Sequence, residues 1–161
     1  MWKILLFLLM SYVIILAYIF PAPQQSLGEV SRIFYFHVPV AWVSVLAFLI
    51  SMANGIIYLK KRDLLYDIKS SSSSQLGLLF AFLATVSGSI WAKVSWGAFW
   101  NWDPRQVSIF ILLLIYGAYF ALRSAVFESD KKATLSAGYS IIAFITVPFL
   151  FNCVSFIFCS W

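Results

Sequence analysis

The sequence predicts an all-α polytopic membrane protein, with about five transmembrane helices and a tryptophan-rich loop on its outward side. Two observations carry that prediction. The chain is 63% hydrophobic and 11% charged over 161 residues, with a mean hydropathy of +0.93. That is more apolar surface than a soluble domain of this size can bury. The apolar residues also fall into five stretches, 4–20, 39–59, 76–92, 107–122 and 133–151. Each is near the ~20 residues a helix needs to cross a bilayer. They are too long for buried strands, and no alternating pattern competes with the helical one. A single integral membrane domain over residues 1–161 follows.

The first stretch follows Lys3 and could be taken for a secretion signal. It is longer than a usual signal core, and Phe20-Pro21-Ala22 lacks the small residue expected before a cleavage site. It is therefore expected to be an uncleaved first span. With five spans, Lys3, Lys60, Lys61, Arg62, Lys69, Arg123, Lys131 and Lys132 share one side of the membrane, while Arg32, Lys93 and Arg105 take the other. The excess of basic residues marks the cytoplasmic side. The amino terminus is thus expected inside, with residues 21–42 and 91–106 facing outward. The net charge of +5 follows from the same rule and gives no reason to invoke nucleic acid.

Between the first two spans, Ser26 and Glu29 have the spacing of a capping box. A short surface helix starting there would carry Leu27, Val30, Ile33, Phe34 and His37 along one stripe, with Arg32 opposite. Pro39 is expected to open the second span as its first residue. The serine-rich segment within 60–75 reads as a flexible connector between the second and third spans. Gly88, Gly117 and Ala121 are small residues that could let helices approach closely. Cys153 and Cys159 read most simply as two inert thiols in or near the last span.

The chemistry concentrates in the outward segments. Four of the seven tryptophans (Trp91, Trp96, Trp100 and Trp102) lie within twelve positions, and the last is followed by Asp103-Pro104-Arg105. Asp103 and Pro104 make a good helix start, a carboxylate cap with proline at the first position. Asp103 could be that cap alone, and Arg105 could simply meet lipid headgroups. Tryptophan gathers at membrane interfaces, which explains one or two indoles per helix end but not four in one loop. A group of indoles would also suit a planar aromatic ligand. Arg105, with Lys93 or Arg32, could pair with carboxylates on it. His37, the single histidine, could be an ordinary interfacial residue. An apolar setting would equally favour the neutral imidazole that a metal needs, and imidazole is a common haem ligand. An aromatic disc with acidic substituents and an imidazole-binding metal describes haem. Quinones also favour aromatic surfaces but need no such ligand.

At this point a family resemblance enters. "WGAFWNWDPRQVS", residues 96–108, resembles the tryptophan-rich WWD signature of the haem-handling proteins of cytochrome c biogenesis. Its placement about sixty residues after "YFHVPVAW", residues 35–42, is most similar to the haem exporter protein C (CcmC) branch. The similarity runs on through Tyr116 to "VPFL" at 147–150. It implies a multi-pass protein of the bacterial inner membrane that holds b-type haem, non-covalently and transiently, over the outward loop between two histidines. It implies as partners an ATP-binding-cassette haem-release complex and a membrane-anchored haem chaperone (CcmE-like), besides membrane lipid. By position, His37 matches the first of the two histidines and the iron ligand; Trp96, Trp100, Trp102 and Asp103 match the signature, with Trp91 and Arg105 beside it.

The sequence departs from the family pattern in three places. Gln106-Val107 stands where Leu-Thr is usual, and Phe151, Asn152 and Cys153 stand where the second histidine would fall. The family has six spans; five are expected here, as in a shortened or diverged member. With one histidine, bis-histidine ligation within the chain is excluded. The resemblance implies haem binding and presentation, with little or no bond chemistry. Two other classes stay open: a catalytic cytochrome c haem lyase component, and a structural subunit of the haem-handling complex that no longer binds haem.

Overall fold

The computed structural model describes residues 2–20 and 25–158, the side chains of 25–27 and 150–158 excepted. Among these run five helices: α1 (Trp2–Ile19), α2 (Phe34–Lys61), α3 (Leu64–Trp96), α4 (Pro104–Ala125) and α5 (Ser129–Phe158). A 3₁₀ segment, Gln25–Ile33, leads into α2. All five helices are long and apolar enough to cross a membrane, the fifth over Ser129–Phe149, and no strand occurs among the described residues. The fold is all-α and polytopic, and each expected span falls on one helix.

Helices α2 and α3 are longer than expected, for reasons the local chemistry supplies. Pro39 lies inside α2, because the 3₁₀ segment runs straight into the helix and starts it at Phe34. The capping box does not organise the region before it: Gly28 breaks the 3₁₀ segment at φ 58°, and the Glu29 carboxylate pairs instead with the Arg32 guanidinium. The other capping-box residue, Ser26, has its side chain outside the described residues. His37 is therefore the fourth residue of a transmembrane helix, not part of a surface one.

The expected connector at 60–75 is a tight turn followed by helix. Arg62 closes α2 in the left-handed conformation, its N–H bonded to the Tyr58 carbonyl, and the Asp63 carboxylate accepts from the Leu65 N–H at 2.9 Å to start α3. The serines then form a helix–helix contact. Ser51 of α2 meets Ser70 and Ser74 of α3 at 3.0 and 2.6 Å, all three buried, and Ser44 donates to the Gly77 carbonyl at 2.9 Å. Small side chains let backbones approach in lipid, and their hydroxyls hydrogen-bond across the contact.

Helices α2 and α4 each pack on both α3 and α5. Phe48 and Tyr116, both fully buried, stack across the centre with ring centroids 3.6 Å apart. A Cβ at Gly77 would collide with the Phe48 ring, and one at Gly55 would come within 2.7 Å of the Ser140 hydroxyl. These two glycines make the closest of the approaches among α2, α3 and α5, and Gly88 of α3, named for that role in the sequence, makes a further one against His37 of α2. Gly117, a candidate for that role, has nothing within 4 Å of an added Cβ, and Ala121 is exposed. At the end of the bundle away from His37, Arg123 of α4 grips Asp67 of α3 through two bonds of 2.6 and 2.9 Å.

Helix α1 stands apart. Ala17 is its one buried residue, and Arg32 joins it to the bundle by donating to the Ala17 and Phe20 carbonyls at 2.8 and 2.5 Å. A cation on the last carbonyls of a helix satisfies orphan acceptors and complements the dipole. The remaining faces of α1 are apolar and suited to lipid.

Candidate functional site

A cleft of about 500 Å³ opens at the end of the bundle where α2 begins, α3 ends and α4 begins. Cofactor and ligand sites commonly fall in the range of roughly 300–1,000 Å³. Its lining runs down α4 from Arg105 to Leu112, roughly 10 Å of helix at 1.5 Å per residue. Ile109, Leu112 and Val147 line its deeper part. The walls are Phe34, Trp91, Trp96 and Trp100, and the polar groups include His37, Asp103, Arg105 and Gln106.

Local chemistry shapes the loop between α3 and α4. Gly97 ends α3 at φ 82°, its N–H bonded to the Lys93 carbonyl; this is the left-handed position that glycine occupies without penalty. The Lys93 ammonium folds over the same turn and donates to the Gly97 carbonyl at 2.8 Å. Asp103 caps α4 through the Arg105 N–H at 2.9 Å, with Pro104 at its first position. Gln106 then reaches back over the loop: its carboxamide accepts from the Asn101 N–H at 2.8 Å and donates to the Phe99 carbonyl at 3.1 Å.

This clasp brackets Trp100 and gives Gln106 a structural role that sequence reasoning missed, having read it only as a departure from a pattern. Two hydrogen bonds contribute about 1–3 kcal/mol together. Replacing Gln106 with leucine is expected to speed amide exchange at Asn101 at least several-fold while leaving the helices intact. Hydrogen–deuterium exchange of the loop against α3 and α4 checks this.

The tryptophans are arranged edge to face. Trp91 meets Trp96 at 5.3 Å and 78° and leans on Phe34 at 5.1 Å. Trp100 meets Trp102 at 5.7 Å and 86° and Phe110 at 6.0 Å and 75°. Edge-to-face packing is a favoured arrangement of aromatic pairs, and it makes the indoles walls of a cleft instead of one flat platform. Trp91, Trp96 and Trp100 line the cleft; Trp102 does not, being 74% exposed. Trp102 also has φ 57°, a conformation worth about 1–3 kcal/mol of strain in a bulky residue. The Trp91 indole nitrogen is buried without a hydrogen-bond partner.

His37 lines the cleft from α2, and its Nδ1 is 2.8 Å from the Ser87 hydroxyl of α3. The ring lies over Gly88, where an added Cβ would come within 3.1 Å of Cε1. Of Arg32, Lys93 and Arg105, the cations expected on the outward side, Arg105 lines the cleft. Arg32 is committed to Glu29 and α1, and Lys93 to Gly97. Cys153 and the neighbouring Phe151 and Asn152 have side chains outside the described residues, and Cys159 lies wholly outside them. Among the described residues no three of His, Cys, Asp and Glu converge on one point. Among the described residues the cleft thus presents one imidazole and not a cage.

These features define a polytopic helical membrane protein with an imidazole-bearing, tryptophan-walled cleft at one end of its bundle. The chain belongs to the Heme exporter protein C family, whose family model matches residues 1–158. It is 32% identical over 123 residues to Heme exporter protein C of Bradyrhizobium diazoefficiens, covering 76% of this chain and 47% of that one. It is also 32% identical over 131 residues to Heme exporter protein C of Escherichia coli K12, covering 81% and 53%. A protein of Marchantia polymorpha described as ccmC-like and mitochondrial is 34% identical over 123 residues, covering 76% and 51%. The chain spans about half the length of these relatives.

Proposed function

We propose that the cleft receives haem, with His37 as the iron's protein ligand, and that the protein presents this haem for transfer in cytochrome c maturation. The observation that carries the reading is the placement of the single histidine on the wall of a cleft also lined by Trp91, Trp96, Trp100 and Arg105, in a chain of this family. The residues fit the group. The apolar walls suit a porphyrin face and edges, a neutral imidazole is a common partner of haem iron, and Arg105 can meet a propionate with a planar guanidinium. Trp102, outside the cleft and beside Asp103, is then placed to meet lipid headgroups or a docking protein.

The basic residues at the opposite end of the bundle support an orientation. Lys60, Lys61, Arg62, Lys69, Arg123, Lys131 and Lys132 gather there, and under the positive-inside rule this supports a cytoplasmic position for that end, with the cleft at the outer face of a bacterial inner membrane. Presentation at that face suits hand-over to a membrane-anchored haem chaperone, in company with subunits of an ATP-binding-cassette complex. The protein supplies binding and orientation, and haem leaves without bond chemistry.

Titrating haemin into the protein in lipid nanodiscs tests the reading. Saturable binding at one haem per chain is expected, with a shifted Soret band and quenched tryptophan emission. A Trp91→Ala/Trp100→Ala variant is expected to bind at least about 10-fold more weakly, since each aromatic pair adds about 0.5–1.5 kcal/mol beyond its buried area. Haemin that partitions into empty nanodiscs equally well, or a double variant that binds like the parent, would defeat the proposal. Thioether formation on adding an apocytochrome peptide would move the protein to the haem lyase class.

A further inference from the structure

The Ser87 hydroxyl sits 2.9 Å from the Leu83 carbonyl and 3.1 Å from the Ala84 carbonyl of its own helix. It also lies 2.8 Å from His37 Nδ1, fifty residues away in sequence. A hydroxyl has one proton to give and two lone pairs with which to accept. Two carbonyls of the preceding turn can only accept, so they draw that proton, as serines within helices often do. The oxygen then turns a lone pair toward the imidazole, and Nδ1 must carry the ring proton. In the neutral imidazole that leaves Nε2 as the bare, electron-donating nitrogen.

We infer that Ser87 is a positioning residue: it holds His37 in the Nδ1–H tautomer and so presents Nε2 to the cleft. Gly88 completes the arrangement, since a methyl group there would press on Cε1 at 3.1 Å, with Nδ1 and Nε2 at 3.7 and 3.8 Å. The ring is therefore held by the Ser87 hydroxyl and the Ala84 carbonyl and over one face by bare backbone. Partners of this kind fix ring orientation and raise ligand basicity, and losing one commonly lowers metal affinity about 10–100-fold. The consequence for iron rests on the haem reading; the tautomer itself does not.

One histidine in the chain makes the test direct. Protein carrying ¹⁵N-histidine, free of haem and in nanodiscs, gives the ring-nitrogen signals of His37 alone. The parent is expected to show a protonated Nδ1 and a bare Nε2. Ser87→Ala is expected to shift the ring toward a mixture of tautomers, and Ser87→Thr, which keeps the hydroxyl, to retain the parent pattern. In haemin titrations the alanine variant is expected to bind about 10–100-fold more weakly, with threonine near the parent. An Nε2–H ring in the parent overturns the inference, as does an alanine variant with unchanged tautomer and affinity. Parent protein with the expected tautomer but no haemin uptake would support the positioning role and remove the haem reading, so the two can fail separately.

Discussion

Haem affinity is expected to fall by at least about 100-fold when His37 is replaced with alanine, while the affinity for iron-free protoporphyrin stays within about 3-fold of the parent. Loss of a group that only orients a metal ligand already costs about 10–100-fold, and this change removes the proposed ligand itself. No other histidine exists in the chain to replace it. The contribution of the walls is separate. Phe34, Trp91, Trp96, Trp100 and Leu112 line the cleft whether or not an imidazole is present, and burial of apolar area depends on neither iron nor its ligand. Comparing the two porphyrins therefore divides the binding energy between coordination and packing. Free imidazole added to His37→Ala is expected to restore part of the haem spectrum, because truncation leaves room beside Gly88. Equal loss for both porphyrins would mean that the substitution had collapsed the cleft. Equal retention would mean that the indoles hold a planar ligand, such as a quinone, without coordination.

Local signals were legible in the sequence; distant ones were not. Asp103 and Pro104 announce the start of α4 because a cap and its proline act within one turn. The five apolar stretches announce five helices because length and hydropathy are properties of each segment alone. The tract 70–74 was misread because serine-rich composition looks the same in a solvated linker and in a tight helix pair. What separates them is Ser51, some twenty residues earlier and on another helix. Asp67 was hidden for the same reason, lying in the supposed connector until Arg123 is placed against it. Trp100 and Trp102 are equivalent in the motif. They part in space because Trp102 takes a left-handed backbone, which no pattern of residue types would assign to tryptophan. His37 was identifiable as the one imidazole in the chain, whereas Ser87 was one serine of many until the folded chain set it 2.8 Å away.

The largest loss of stability is expected at the other end of the bundle. Arg123 and Asp67 are joined by two hydrogen bonds, with side chains only 15% and 10% exposed. Removing one member of such a pair leaves a largely buried charge without its partner, a penalty of about 3–5 kcal/mol. Asp67→Ala or Arg123→Ala is thus expected to lower the unfolding midpoint sharply in a denaturant titration of detergent-solubilised protein. The double change to Asp67→Leu/Arg123→Met is expected to recover most of the loss, since a neutral pair strands no charge. Non-additivity of that kind is the signature of residues in direct contact. Ionisable groups within membrane helices often mark a transport path, and the same variants test that alternative. The pair lies far from the cleft, so folded Asp67→Leu/Arg123→Met protein is expected to keep the parent's haemin spectrum and affinity. A double variant that is stable yet loses haemin would instead couple the two ends of the bundle, with the Phe48–Tyr116 stack as the contact between them.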